Sequence, residues 1–541
     1  MVFQNNLLMG AAGQSDAAYT IDQSCRFNND DSAYLYRTPG SSGNRKTWTF
    51  STWLKKCNSQ GALLGSGEDH TVNNNYIWIG WHGATNGLSV QCYNTPESFH
   101  VQTSALARDP SAWFHVVVAF DTTQSTASNR VKIFINGSQE TSLSATTYPS
   151  EDEEFQINHT EMQMVGSNYE GPSGGGYYWD GYLAETYLID GTALTPSSFG
   201  ETNSTTGQWV PIEVAGLTYG TNGFRFSYED SSAFGDDTSG EGNDYTSSGL
   251  AAADQVTDSP TDNFCTWNTV NRQPASGNTL VLSEGNLELV NGTYETHSIL
   301  STHRLHGKQY MEIKLLSSIN SAGTSHNIGV VEEGTIIPAA NFAYYSDTFS
   351  GMLFPFLVSY SDGVADPAEP DYGTLANGDT LGFAISEDDG KFWCRIDDGD
   401  WLGGGDPETT SSTPTGTFSN ITIGQWIDTV HGPTDKNTSD FGQLGYAYTA
   451  PSGYETVSSA NLDDPTIADP SGSFQTTLYT GDGSTQSIDQ GGNSTFEPDL
   501  VWIKNRDAAD NHCWFDSVRG ATKLLSSNNT DAESTDADTL T

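Results

Sequence analysis

The chain has 541 residues, 21 Lys and Arg against 68 Asp and Glu, and a formal net charge of −47, with 35% hydrophobic and 11% aromatic residues. That balance excludes routine nucleic-acid binding, which needs Lys and Arg to neutralise phosphate, and it disfavours anionic membrane surfaces. Aromatic content is too high for a disordered chain, so folded domains with polar surfaces are expected.

Residues 1–17 form an N-terminal segment. "MVFQNNLLMGAAGQS" has a short apolar patch but lacks the basic flank of a secretory signal. No later apolar run approaches membrane-spanning length, so no membrane insertion is expected. Residues 18–200 form the first block. "KTWTFSTWLKK", "NYIWIGWH", "LSVQCYN", "WFHVVVAFD" and "RVKIFING" run apolar or alternate at strand length, with turn residues between them. This pattern predicts a sandwich in which "HVVVAF" and "VKIFI" pair as neighbours with one face on the core.

Residues 201–263 are rich in Ser, Gly and Asp and read as a connector with little core of its own. A second block spans 264–461. In "GDTLGFAISEDDGKFWCRIDDGDWLGGG" two strands flank a turn at "EDDG", a strong hairpin signal. A third block spans 470–541 and includes "FEPDLVWIKNRDAADNHCWFDSVRG". Its ending closes no core, so a partial module is expected. The cysteines (Cys25, Cys57, Cys92, Cys265, Cys394 and Cys513) form no C-x-x-C pair and read as free, mostly buried thiols.

"CRFNNDDSAYLYR", "WTFSTWLKK", "WFHVVVAFD…RVKIFINGSQ" and "GYLAETYLIDGTALTPSSFGE" occur in the order found in the concanavalin A-like, laminin-G-type jelly roll, which the first block resembles. The wording also resembles laminin-G-type domains in virion structural proteins of tailed bacteriophages. One departure is the "D-x-SG-x-GND" phrase from Asp237 to Asp244, which usually opens such a domain and here follows it. It either starts an incomplete repeat or packs back onto the sandwich. The second block resembles a SPRY-type β-sandwich through its hairpin and "DFGQLGYAYTAPSGY". The third resembles a segment found downstream in the same phage proteins. The resemblance implies an all-β virion protein, most often of the tail, made in the host cytoplasm and released by lysis. Its implied partners are host surface glycan or protein and other virion proteins, with homotrimers common in such fibres.

Retaining glycosidases on this fold carry E-x-D-x-x-E or E-x-D-x-E on one strand, because period-2 spacing puts both carboxylates on one face. No such string occurs; the nearest acidic cluster is "EDEEFQIN" at Glu151–Asn158. "GPSGG" at Gly171–Gly175 lacks the strand–turn–helix setting of a nucleophile elbow. His303 and His306 have the wrong spacing for a metal pair. The expectation is therefore a non-enzyme. Sugar binding needs aromatic faces beside fixed polar groups. Trp78, Trp81 and His82 in "YIWIGWH", and Tyr177, Tyr178, Trp179 and Asp180 in "GGGYYWDGY", offer both, and in an alternating strand one of each set faces the core. Trp401, beside "GGG", is a similar candidate in the second block. Asp237, Glu241, Asn243 and Asp244 are hard oxygen donors that suit Ca²⁺, set against a plain polar turn.

Overall fold

The structure, a computed structural model, describes residues 19–67, 76–83, 87–93, 98–168, 176–272, 280–291, 296–317, 325–331, 349–354, 358–361, 364–365, 375–409, 411–418, 425–431, 436–462, 467, 469–491 and 495–535. The 1–17 segment and the Gly171–Gly175 stretch lie outside the described residues. Among those described, the elements are strands and short 3-10 turns. The chain divides into two units, one of residues 1–203 and 208–465 and one of 204–207 and 466–541.

The first unit opens with a sandwich of two eight-stranded sheets. Thr47–Lys56 lies at the centre of the first sheet, between Trp113–Asp121 and Gly181–Asp190. Trp113–Asp121 pairs with Val131–Ile135 as the alternation predicts, with Val116, Val118 and Phe120 opposite Ile135, Ile133 and Val131. Those six side chains are buried in the core. The hairpin that follows turns on Asn136 and Gly137, both with positive φ (47° and 78°), the backbone that a two-residue hairpin turn demands.

The second sheet runs Leu143–Thr147, Phe99–Thr103, Ser89–Tyr93, Tyr76–His82, Gln60–Gly67, Gln163–Val165, Tyr34–Arg37, Thr246–Ser248.

The 201–263 segment is not the coreless connector its composition suggests. Phe224–Phe226 pairs with Gly181–Asp190, Thr246–Ser248 edges the second sheet, and Gln255–Val256 pairs with Ser24–Phe27 in the first. Phe224, Phe226, Tyr228, Phe234 and Tyr245 join the main core. Short strands of two or three residues carry no periodic signature, so distant partners decide them. The "D-x-SG-x-GND" phrase packs back onto the sandwich. Asp237 accepts from the backbone N–H of Arg225, and the Asn243 amide donates to the Thr221 and Gly223 carbonyls.

The second sandwich has two seven-stranded antiparallel sheets among the described residues. Thr380–Ser386 pairs with Lys391–Ile396 across the Glu387–Gly390 turn, as "EDDG" predicts. The outer face of this sheet is covered by residues 444–454. There the buried Glu312 carboxylate accepts from the Ala447 and Tyr448 N–H groups at 2.7 and 3.0 Å. The second unit holds a four-stranded sheet of Leu500–Ile503, Cys513–Asp516, Lys523–Ser526 and Ser534–Thr535.

The two sandwiches of the first unit meet at a buried ion pair. Lys55 Nζ lies 2.8 Å from Asp258 Oδ2, and both side chains are fully buried. The ammonium also donates to Asn263 Oδ1 and to the Phe264 carbonyl, at 2.9 and 2.7 Å. Asp258 accepts from Trp113 Nε1 at 2.7 Å and from the Phe264 N–H. Removing one partner strands a buried charge, which costs about 3–5 kcal/mol. Asp258→Asn and Lys55→Met are each expected to destabilise the chain by about that much in urea unfolding. The double variant should cost less than the sum of the two; an additive double variant would contradict the pairing.

Candidate ligand-binding face

Strand alternation builds the face. In Tyr76–His82, Ile77, Ile79 and Trp81 enter the core, so Tyr76, Trp78, Gly80 and His82 take the outer face. Strand register extends it sideways. Thr246, Tyr36, Met164, Gly65, Trp78, Gln91, His100 and Thr147 form one row across all eight strands of the second sheet. Tyr34 lies two residues from Tyr36 on the same face, their ring centroids 5.5 Å apart. Tyr76 and Tyr93, cross-strand partners, stack at 5.2 Å.

Trp78 lies back along its strand over Gly80, where a Cβ would sit 2.9 Å from the indole ring. The Tyr177 ring covers it, with centroids 5.5 Å apart and planes 10° from parallel. Tyr177 is tied at three further points. Its hydroxyl lies 2.7 Å from His82 Nε2, its N–H donates to Asn168 Oδ1, and its carbonyl accepts from Ala62 N–H. Tyr178 turns to Tyr34, 6.0 Å between centroids. Beside these rings Gln102 Nε2 donates to Ser89 Oγ at 2.8 Å, and His100 Nε2 lies 3.2 Å from the same hydroxyl. Burial, then the charge of His82, holds the His100 imidazole below its ordinary pKa.

The candidates from sequence therefore separate. Tyr177 and Tyr178 are half-buried rings on the face, and Trp78 is a buried support beneath Tyr177. Trp81 and Trp179 are fully buried core residues, 5.8 Å apart. Asp180 points elsewhere, into the seam with the second sandwich. There Arg26 bridges Asp254 and Glu284 at 3.0 and 2.8 Å. Trp401 is half-buried in the second sandwich with the Arg395 guanidinium 4.8 Å from its ring, so one ring face is already covered. Tyr34, Tyr36, Tyr76, Tyr93, Gln91 and His100 were missed. The alternating "YLY", "SVQCY" and "FHVQT" hold the signal, since each sets a polar or aromatic residue opposite core positions.

The proposed calcium donors close a loop. Asp237 accepts from Arg225, Ser239 and Asn243 N–H groups, and Asp244 accepts from Asp237 N–H. Glu241 and Asp244 are exposed. Among the described residues no group of three or more His, Cys, Asp or Glu is placed to hold a metal ion.

Catalytic constellations are engaged elsewhere. Glu151, Asp152 and Glu154 each reach a separate cation: Arg130, Lys46 and Arg45. Glu185, on left-handed backbone (φ +48°) at a bulge, is held by Arg225 at 2.7 and 3.0 Å and by the Tyr187 hydroxyl. Ser51 Oγ lies 2.8 Å from His115 Nε2, but Trp209 Nε1 donates to His115 Nδ1. Nδ1 is then the acceptor, so Nε2 carries the proton and donates to the serine. Burial pushes that imidazole down to about 3. His303, also buried, is likewise lowered to about 3, first by burial and then by Lys55.

Residues 28–198 match the family described as the concanavalin A-like lectin/glucanases superfamily. Residues 469–541 match a domain of unknown function, DUF7483. No curated protein matches the sequence. Similar solved structures include the SPRY domain of human HERC1, at 10% identity over 32% of this chain and 96% of that one, with a TM-score of 0.24. Another is the native heptameric SAP-like pentraxin from Limulus polyphemus, at 17% identity over 33% and 80%, with a TM-score of 0.24. The protein is thus all-β and multi-sandwich, and its first sandwich is concanavalin A-like.

Two outcomes follow. Trp81→Ala and Trp179→Ala empty core volume and should each cost about 3–5 kcal/mol in urea unfolding, whereas Tyr177→Ala should cost about 1 kcal/mol. The Asp180 carboxyl is pushed up from 3.8 to about 7, first by burial and then by Asp30 and Glu284, with Asn58 and Arg26 acting the other way. The folded chain therefore holds this proton more tightly than the unfolded one. That stabilisation is complete below the ordinary carboxylate pKa and is lost as pH rises through about 7. Asp180→Asn should flatten this part of the fall in unfolding midpoint between pH 4 and 7; an unchanged slope would contradict the assignment.

Proposed function

We propose that the chain is a non-catalytic binding protein of a tailed-phage virion. A tail fibre or tail-associated protein fits best, attaching to host surface glycan or protein through the first sandwich. The observation that carries this is the row of half-buried rings and amides on the outer sheet face of a concanavalin A-like sandwich. Rings stack on the CH faces of sugars while fixed amides and hydroxyls bond their oxygens. Assembly into homotrimers and repeated copies on a particle would multiply weak single sites. The phage assignment rests on sequence resemblance, and the step from fold to function is analogy. The engaged Glu185 carboxylate and the Nε2-protonated His115 support binding without turnover. Calcium, if held, belongs to the 237–244 loop and its stability rather than to this face.

A second reading, a structural spacer or head-decoration protein without ligand, is favoured by the buried Lys55–Asp258 seam, which locks two sandwiches into one body. Immunogold electron microscopy of purified particles, with antibody to residues 1–200, separates the readings. Label at the tail periphery with saturable binding of the isolated protein to host cells is expected. Label over the head without cell binding favours the spacer. No label on any particle removes the virion assignment.

A further inference from the structure

The outer face of the second sheet has a charge pattern of its own. The chain carries 68 acidic and 21 basic residues, yet among the described residues none falls at a strand position of this face. Tyr, Trp, Gln, Ser, Thr and His occupy it instead, with Met164 and glycines between them. We infer that this face takes a neutral, hydroxyl-rich polysaccharide chain laid across the strands, with Tyr177, raised on Trp78, as its central stacking ring. This rests on the binding reading above and names its ligand class.

The field of the whole molecule opposes the anionic alternative. A net charge of −47 repels acidic polysaccharide, and among the described residues no Lys or Arg at a strand position of the face offsets that repulsion. A polycation finds no carboxylate at the described strand positions of this face to pair with. A neutral sugar chain meets neither penalty.

The layout also selects a chain over a single terminal sugar. From Tyr36 to Gln91 the row crosses four strand spacings, about 19 Å, which is several sugar rings long. Rings stand along this span: the Tyr34–Tyr178 pair at one end, Tyr177 over Trp78 in the middle, and Tyr76–Tyr93 beside it. Tyr177 is pre-organised, because its ring, hydroxyl, N–H and carbonyl are all fixed before a ligand arrives, so little ordering entropy opposes binding. Beside Trp78, the buried Gln91 amide Nε2 has no hydrogen-bond partner among the described residues. It is a donor that a sugar hydroxyl or ring oxygen would satisfy.

The test uses the full chain in affinity electrophoresis and calorimetry. The probes are neutral polysaccharides (a mannan, a β-glucan, a dextran), acidic ones (alginate, chondroitin sulfate), and oligosaccharides of rising length. Expected are binding to at least one neutral polysaccharide, affinity that rises with oligosaccharide length, and little response to salt. Tyr177→Ala and Tyr178→Ala should each weaken it by at least about tenfold, with both variants still folded and Tyr177→Ala only slightly less stable. Tyr177→Phe, which removes the hydroxyl contact to His82 and keeps the ring, should stay within about threefold. Trp502→Ala, an exposed ring in the second unit, should change nothing. Salt-sensitive binding of acidic polysaccharide, or neutral binding indifferent to Tyr177→Ala, overturns this inference and leaves the binding reading standing. The same holds for host-cell binding with no polysaccharide bound. Absence of both polysaccharide and host-cell binding overturns both.

Discussion

The buried Lys55–Asp258 pair is the constraint on which the arrangement of the first unit rests. Lys55 sits on the central strand of the first sheet and has no solvent to fall back on. Its ammonium is tolerable only because Asp258, Asn263 and the Phe264 carbonyl surround it. Those partners belong to the chain just before and at the start of the second sandwich. The charge can be satisfied only when that chain is docked. Burial raises the Asp258 pKa, and Lys55 and Trp113 oppose the rise, so the pair is mutually dependent rather than strongly stabilising by itself. Its value lies in specifying one docking arrangement.

The two sheets of the first sandwich differ in how far their outer faces are covered. The outer side of the first sheet is covered. Phe199, Tyr219, Leu194 and Leu217 pack on Val117, Ala119 and Tyr187, and Ile21 and Val256 join Trp53, Trp113 and Tyr182. Tyr182 itself reaches the second sandwich, donating to the Gly285 carbonyl at 2.8 Å. The second sheet carries its half-buried tyrosines on the opposite side of the sandwich. Apolar residues on both faces of one sheet, and on only one face of the other, are the sequence-level expression of this asymmetry.

Much of the fold was legible because local patterns and tertiary pairing agree. The hairpin at 113–137 and the turn at 387–390 have apolar runs, turn residues and register that point the same way. The 201–263 strands were not legible. "FRF", "TSS" and "QV" gain their structure from partners far away in sequence. The candidate face was half legible. Alternation separates Trp78 from Trp81 but does not say which side is core, since both are indoles. Tyr177, Tyr178, Trp179 and Asp180 are consecutive, yet they serve the face, the core and the seam. Only the returning chain along Gln60–Gly67 fixes which does which.

Where the chain enters the first sandwich and where it leaves lie side by side. Ser24–Phe27 pairs antiparallel with Gln255–Val256, and the Thr261 hydroxyl both accepts from the Ile21 N–H and donates to the Ile21 carbonyl, at 2.9 Å each. One hydroxyl thus closes a loop of more than two hundred residues. A domain whose two ends are adjacent can be spliced into a surface turn of another protein without stretching its host. The first sandwich is built as a cassette, and recombination that moves residues 21–261 as a block would carry the tyrosine face with it intact. It would leave behind the Asn263 and Phe264 contacts that shield Lys55, the Glu284 partner of Arg26 and the Gly285 carbonyl that Tyr182 reaches, which the new host must replace.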